Sequence, residues 1–260
     1  MLPDFLIVGA QRSGTTSMYK TLSQHPAVLK AVLRKGVHYF DVGYTNGPGW
    51  YRAQFPLQYT ATRTQRALGV RPLTGESSPY YMFHPLAAER IARDLPSVRL
   101  IVLLRDPVER AYSAHTHEVA RGYDLEKSFE RALELEEERT RGEAERIIAD
   151  PTYNSHSLQH QSYVARGRYV EQIERLERAV GRDRIHVVDS QDFFEKPEPA
   201  YREVLSYLGL PELGSPDFEQ HNARPRSPMS DSLRTRLDEY FLPYDERLAG
   251  WLGATPSWRR

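Results

Sequence analysis

The sequence predicts an α/β fold, a central parallel sheet flanked by helices in three layers. Three observations carry this. Two apolar runs, FLIV at 5–8 and VRLIVLLR at 98–105, are short and continuous, as strands buried on both faces are. Each run ends at a helix-opening signal, a glycine loop after the first and Pro107 after the second. Strand and helix patterns then alternate along all 260 residues, with no internal repeat and no low-complexity linker.

Taken in order, 5–8 is a strand that stops at a glycine, and 13–24 is a helix. Met18 and Leu22 lie four apart on one face of that helix, and His25-Pro26 stops it. LTGESSPYY at 73–81 reads as a short strand running into a turn, and 85–94 as a helix with proline at its start. After the strand at 98–105, Pro107 opens a helix to about Arg121, closed by Gly122. Residues 126–147, dense in Glu and Arg around Phe129, Leu133 and Ile147, read as a solvated surface helix. They belong to a helical insertion at about 123–160 in a single domain spanning 1–260. Then come an amphipathic helix at 162–180, a strand at 184–189 and a helix at 199–211 with a Leu-Gly-Leu-Pro stop. A Pro- and Arg-rich loop, NARPRSP at 222–228, precedes a final helix from Ser230.

Composition narrows the function. Lys plus Arg and Asp plus Glu both count 35, so the chain lacks the basic excess expected of a nucleic-acid binder. With no cysteine, disulfides, thiolate metal sites and cysteine nucleophiles are excluded. The apolar runs are too short for a secretory signal or for a membrane span, which needs about 20 apolar residues. The expectation is a soluble, cytoplasmic protein. The Arg- and Ala-rich composition is compatible with a GC-rich bacterial gene.

GAQRSGTT at 9–16 joins the first strand to the first helix, which makes the fold P-loop-like. Backbone N–H groups at such a helix start favour an anion. Gly9 and Gly14 permit tight turns, and Gln11, Ser13, Thr15, Thr16 and Ser17 add polar side chains. The triphosphate loop G-x-x-x-x-G-K-[ST] would carry a lysine after Gly14, and here Thr15 stands there. The nearest cation is Arg12. The bland alternative is a plain turn with an N-capping Ser or Thr. A second basic signature, LLRDPVERAYSAH at 103–115, puts Arg105 at the carboxyl end of a strand, where binding crevices of open α/β sheets lie. Arg105 and Ser113 form a second anion clamp, joined by Arg110 unless that residue is merely on the surface. The alternative for Arg105 is a salt bridge to Asp106 or a nearby carboxylate.

These segments together resemble a known family. FLIVGAQRSGTTSMYKTLSQHPAV and IVLLRDPVERAYSAH are similar to the two cofactor motifs of sulfotransferases that use 3′-phosphoadenosine 5′-phosphosulfate (PAPS). RKGVHYFD at 34–41 and GESSPYY at 75–81 resemble elements of the heparan-sulfate sulfotransferase branch, and GRYVEQIERL, VVDSQDFFEKPEPAYREVLSYLGLP and the loop at 222 follow its downstream order. The resemblance implies transfer of a sulfuryl group from PAPS to a hydroxyl or amine of a small-molecule, glycan or lipid acceptor, leaving adenosine 3′,5′-bisphosphate, without a metal. It implies the 5′-phosphosulfate at 9–17 and the 3′ phosphate at Arg105 and Ser113. Arg12 stands where the family usually has lysine, with electrostatic stabilisation of the leaving phosphate as its role. Competing readings are an ATP-dependent kinase and an inactive nucleotide-binding module.

The resemblance also exposes a gap. The branch's usual base is a glutamate at the position of Gly36. Three replacements are available: His38 is favoured, Glu76 is second and Asp41 third, the last also able to orient His38. If 36–38 is extended, residues 36 and 38 share a face. Alternatively His38 is a hydrogen-bonded structural residue. His115 and His117 are expected to be structural or near the 3′ phosphate. Tyr163 or Tyr169 is a stacking candidate for adenine, and Arg224 and Arg226 belong to a cofactor-covering loop or to a solvated basic one. Trp50, Tyr51 and Phe55 shape an acceptor pocket or pack on the sheet.

Overall fold

The computed structural model describes residues 1–219 and 228–260. Five strands form one sheet: β1 (Phe5–Gly9), β2 (Val28–Lys30), β3 (Leu73–Ser77), β4 (Arg99–Leu104) and β5 (Ile185–Asp189). Their order is β2-β3-β1-β4-β5, and every pairing is parallel. The helices are α1 (Thr15–Leu22), α2 (Gly47–Arg52), α3 (Gln58–Leu68), α4 (Ala87–Asp94), α5 (Pro107–Ala120), α6 (Phe129–Thr140), α7 (Glu143–Ala149), α8 (His156–His160), α9 (Tyr169–Val180), α10 (Ser190–Glu195), α11 (Pro197–Leu208) and α12 (Asp231–Leu252).

The continuous apolar run of β1 has a direct cause. Leu6 and Val8 face a core shared with α4 and α9, while Phe5 and Ile7 face another shared with α1 and α11. Both faces of the strand are dry, so polar alternation is absent. Truncating any of these to alanine costs about 2–5 kcal/mol by transfer and cavity terms. A third cluster joins α5, α6 and the first half of α12 through Val108, Phe129 and Leu237.

β1 is central, with β3 on one side and β4 on the other. The chain moves outward to β2 and β3, then crosses back to β4 and β5. The loop leaving β1 thus opens at the switch point of the sheet, where open α/β folds form crevices.

Several elements depart from the sequence expectations. β2 is only three residues long, too short to announce itself by pattern. α3 buries only Ala61, so it has no apolar stripe to read. The helix expected at 126–147 is broken in two by Gly142 at φ 75°, and α6 is not simply solvated, since Phe129, Ala132 and Glu136 are buried. Glu136 accepts hydrogen bonds from the Val164 and Ala165 amides (2.7 and 2.9 Å). That contact holds 163–165 outside the helix, so α9 starts at Tyr169 rather than Ser162.

Candidate active site

A cleft of about 1130 Å³ opens over the carboxyl ends of β1, β3, β4 and β5. That exceeds the roughly 300–1,000 Å³ of a usual single-ligand pocket. Gln11, Arg12, Gly14, Thr15 and Thr16 line it. Gly14 caps α1 in the left-handed region (φ 88°) with no side-chain cap bond, so the expected alternative of a capping Ser or Thr does not apply. The first N–H groups of α1, which have no intrahelical acceptor, sit at the cleft.

Three loop residues stand behind this wall. Ser13 and Ser17 are fully buried. At Gly9 a Cβ would lie 2.4 Å from the Met82 sulfur, so that glycine serves packing rather than ligand approach. Gln11 is committed elsewhere: its amide donates to Glu118 Oε1 (2.8 Å) and its oxygen accepts from Arg166 Nη1 (2.6 Å). Glu118 in turn meets His160 at 2.9 Å. Arg166 also stacks over Tyr80, 4.7 Å from the ring centroid.

The two basic signatures meet. Arg12 Nε donates to Ser113 Oγ at 3.1 Å, across 101 residues of sequence. Arg105 lines the cleft and faces Glu109 at 3.4 Å. Glu109 is shared with Arg234 (3.3 Å), which also holds Asp106 and Asp238. The salt-bridge alternative for Arg105 is therefore met with Glu109, a nearby carboxylate, rather than with Asp106. Arg110 does not join the clamp. It is fully buried, donates to the Tyr163 carbonyl, and burial pushes its pKa down to about 10.

Neither tyrosine presents a face to the cleft. Tyr163 is buried and donates to Asp124 at 2.6 Å. Tyr169 is buried and donates to the Arg105 carbonyl at 2.8 Å. His115 is a core residue bonded to the Glu126 carbonyl (2.8 Å), whereas His117 lines the cleft. Arg224 and Arg226 lie outside the described residues. Tyr51 and Phe55 pack on the sheet, while Trp50 is 38% exposed and away from the cleft.

On the β3 side stands His38. It and Arg12 are the non-glycine residues at positive φ (56° and 71°) among the described residues. Such backbone costs of order 1–3 kcal/mol and persists where surrounding contacts over-determine it. Those contacts are visible. The His38 amide donates to Ser78 Oγ (2.9 Å), Ser78 Oγ donates to Glu76 (2.6 Å), and the Val37 amide donates to Glu76 (2.8 Å). The imidazole Nδ1 meets Asp41 Oδ2 at 2.7 Å. Burial opposes protonation of His38, but the Asp41 hydrogen bond and charge, with Glu76, outweigh it and raise its pKa.

Segment 36–38 is thus not extended. The left-handed turn folds the imidazole back, and its Nε2 lies 3.4 Å from where a Cβ on residue 36 would be. The same Cβ would sit 2.8 Å from the Ser77 carbonyl oxygen, so glycine is required there.

Glu76 and Asp41 are placed differently. Glu76 is fully buried and does not line the cleft; Val37, Ser78, Tyr51 and Tyr81 all donate to it. Burial raises its pKa against the pull of those bonds. Asp41 is also buried, with one oxygen on His38 and the other on the Val42 amide (2.6 Å). Lys35 lines the cleft, and burial pushes its pKa down to about 8 although Glu76 opposes this.

A sulfotransferase-domain family model matches residues 2–223. The chain belongs to this family. It is 26% identical to the membrane-associated sulfotransferase kil1 of Dictyostelium discoideum, over 99% of this chain and 67% of that protein. It is 25% identical to heparan sulfate glucosamine 3-O-sulfotransferase 5 of Homo sapiens, over 99% of this chain and 74% of that one. The fold superposes on a solved sulfotransferase from Alicyclobacillus acidocaldarius with a TM-score of 0.74 at 27% identity, covering 100% of both chains. Family membership sets the kinase reading aside. Among the described residues no group of three or more His, Cys, Asp or Glu is placed to hold a metal ion, and no helix is long and apolar enough to cross a membrane.

Sequence reasoning missed Lys35, Glu118, Arg166, Arg234 and Trp258, all of which line this sulfotransferase's cleft. Only Lys35 lies within a recognisable motif. The others are charged or aromatic residues on helices and in the 254–260 segment, with no local signal.

Proposed function

We propose that this sulfotransferase moves a sulfuryl group from PAPS to a hydroxyl or amine of a small-molecule, glycan or lipid acceptor, with His38 as general base. The donor set suits that cofactor. One anion-binding group follows β1 and another follows the neighbouring β4, and the Arg12–Ser113 bond ties them together. When bound, PAPS supplies the sulfuryl group and a phosphate as leaving group. The α1 N-terminus with Thr15 and Thr16 would hold the 5′ phosphate, and Arg105 with Ser113 the 3′ phosphate. Arg105 lines the cleft beside Ser113. Arg12 keeps a permanent charge where negative charge develops.

The carrying observation is the position of the His38 Nε2, 3.4 Å from the Cβ site of residue 36. An imidazole supplied from two residues downstream reaches the space that a side chain at 36 would enter. Asp41 fixes the ring and favours Nδ1 as the donor, which leaves Nε2 to accept a proton from the acceptor. Glu76 has the wrong surroundings for a base: its oxygens already accept four bonds, and it is buried behind the cleft wall. Its role is to hold the 36–38 backbone in place.

Two experiments test this. Thermal stabilisation by adenosine 3′,5′-bisphosphate in EDTA is expected to exceed that by ATP with Mg²⁺; the reverse order would reject the cofactor. Incubation with PAPS and a panel of phenols, aminosugars and lipids is expected to sulfate at least one acceptor. No product from any acceptor, with the bisphosphate still bound, would favour the inactive binding module.

A further inference from the structure

We infer that Trp258 is the platform on which the nucleotide's purine stacks, an inference that rests on the cofactor reading above. Sheet order sorts the cleft walls. The phosphate loop follows the central strand β1. Lys35, His38 and Tyr80 stand on the β3 side, where transfer is proposed. Arg105, Gln191, Phe194 and Trp258 stand on the β4 and β5 side. A nucleotide that directs its sulfuryl group toward His38 directs its base the opposite way, over β4 and β5.

Among the described residues, that side offers the aromatic rings of Phe194 and Trp258. Phe194 is taken up by the loop itself, since its ring lies 3.0 Å from where a Cβ on Gly14 would be. Trp258 is held for another purpose. Its segment is clipped to the end of β5 by Ser257, whose amide and hydroxyl bond the two oxygens of Asp189 (3.0 and 2.9 Å). The indole N–H donates to Asp245 Oδ2 (3.0 Å), and Arg259 Nε donates to the same oxygen (2.7 Å). Asp245 is buried, and burial raises its pKa against those two partners. A buried carboxylate bonded twice to one segment is an anchor for that segment.

Tyr169 braces the indole edge-on, with centroids 6.2 Å apart and planes at 68°. Its hydroxyl bonds the Arg105 carbonyl. Trp258 and Arg105 are therefore set relative to one another by a single buried tyrosine, one of the two that the sequence offered for stacking. With its N–H consumed inward, the indole has only its ring left to offer a ligand. A ring already fixed loses little freedom on binding a base.

Calorimetry on the full chain tests this with two probes, adenosine 3′,5′-bisphosphate and the base-free ribose 3,5-bisphosphate. Trp258→Ala is expected to weaken the adenosine ligand about tenfold or more and leave the base-free ligand unchanged. Trp258→Phe, which keeps a ring, is expected to retain most of the adenosine affinity, and so also shows that loss of the Asp245 bond is not the cause. Equal weakening of both ligands by Trp258→Ala would overturn the inference, because Trp258 would then act only by bracing Arg105. So would unchanged affinity for both. If the unmodified protein binds neither probe, the cofactor reading itself fails and Trp258 with it.

Discussion

The two sides of the cleft are built in opposite ways. The proposed phosphate side is a strand, a loop and a helix start in unbroken sequence, and Gly14 alone sets its cap. The proposed base side is assembled from afar: Glu76 fixes Val37 across 39 residues, and Ser78 fixes His38 across 40. The first can keep its function as long as a short motif persists. In the second, Glu76 and Ser78 rather than residue 36 set where the His38 ring sits, and residue 36 itself has to be glycine.

Substitutions can break this contrast. The largest expected effect is His38→Ala, which should lower kcat by about 10²–10⁴ while affinity for adenosine 3′,5′-bisphosphate in calorimetry stays unchanged. A parallel loss of affinity would mean the two sides are not separable. Arg105→Ala is expected to do the reverse, weakening that ligand roughly ten- to hundredfold through a lost charge-assisted bond. Next is Gly14→Ala. Forcing a side chain into the left-handed region costs roughly 1–2 kcal/mol, and Phe194 adds a contact at 3.0 Å. Denaturant unfolding should register that loss; a neutral result would show that the loop is less constrained than its φ of 88° implies.

The smallest effect is a displacement. A base acts when neutral, so kcat/KM should rise with pH through the raised pKa of His38. Burial lowers that pKa, and Asp41 provides the main opposing pull. In Asp41→Asn burial is less opposed, and the acid limb of the pH–rate profile should move to lower pH. Movement to higher pH would contradict the assigned role of Asp41.

The same contrast explains what was legible beforehand. β1, β4 and their following helices were readable because both faces of each strand are dry and the punctuation is local, as with Pro107 and Gly209, the latter at φ 71°. The loop residues at the cleft followed from that reading. β2 and α3 were not readable, being respectively too short and too polar on all sides. In the site, Glu76 carried the right residue type but was exchanged for a buried role by Tyr51 and Tyr81, contacts no spacing reveals. Tyr169 does not line the cleft but packs edge-on against Trp258, which lies 89 positions later in the chain and does line it.

The central claim is that His38 stands in for the missing glutamate, and a pH–rate profile of sulfuryl transfer tests it most directly. The profile is to be taken for the unmodified protein, His38→Ala and Glu76→Gln, with PAPS and the best acceptor from the panel. The account predicts an acid limb above the ordinary histidine value of about 6.5, its loss together with turnover in His38→Ala, and its survival in Glu76→Gln. Turnover and limb both surviving in His38→Ala, and both vanishing in Glu76→Gln, would contradict it.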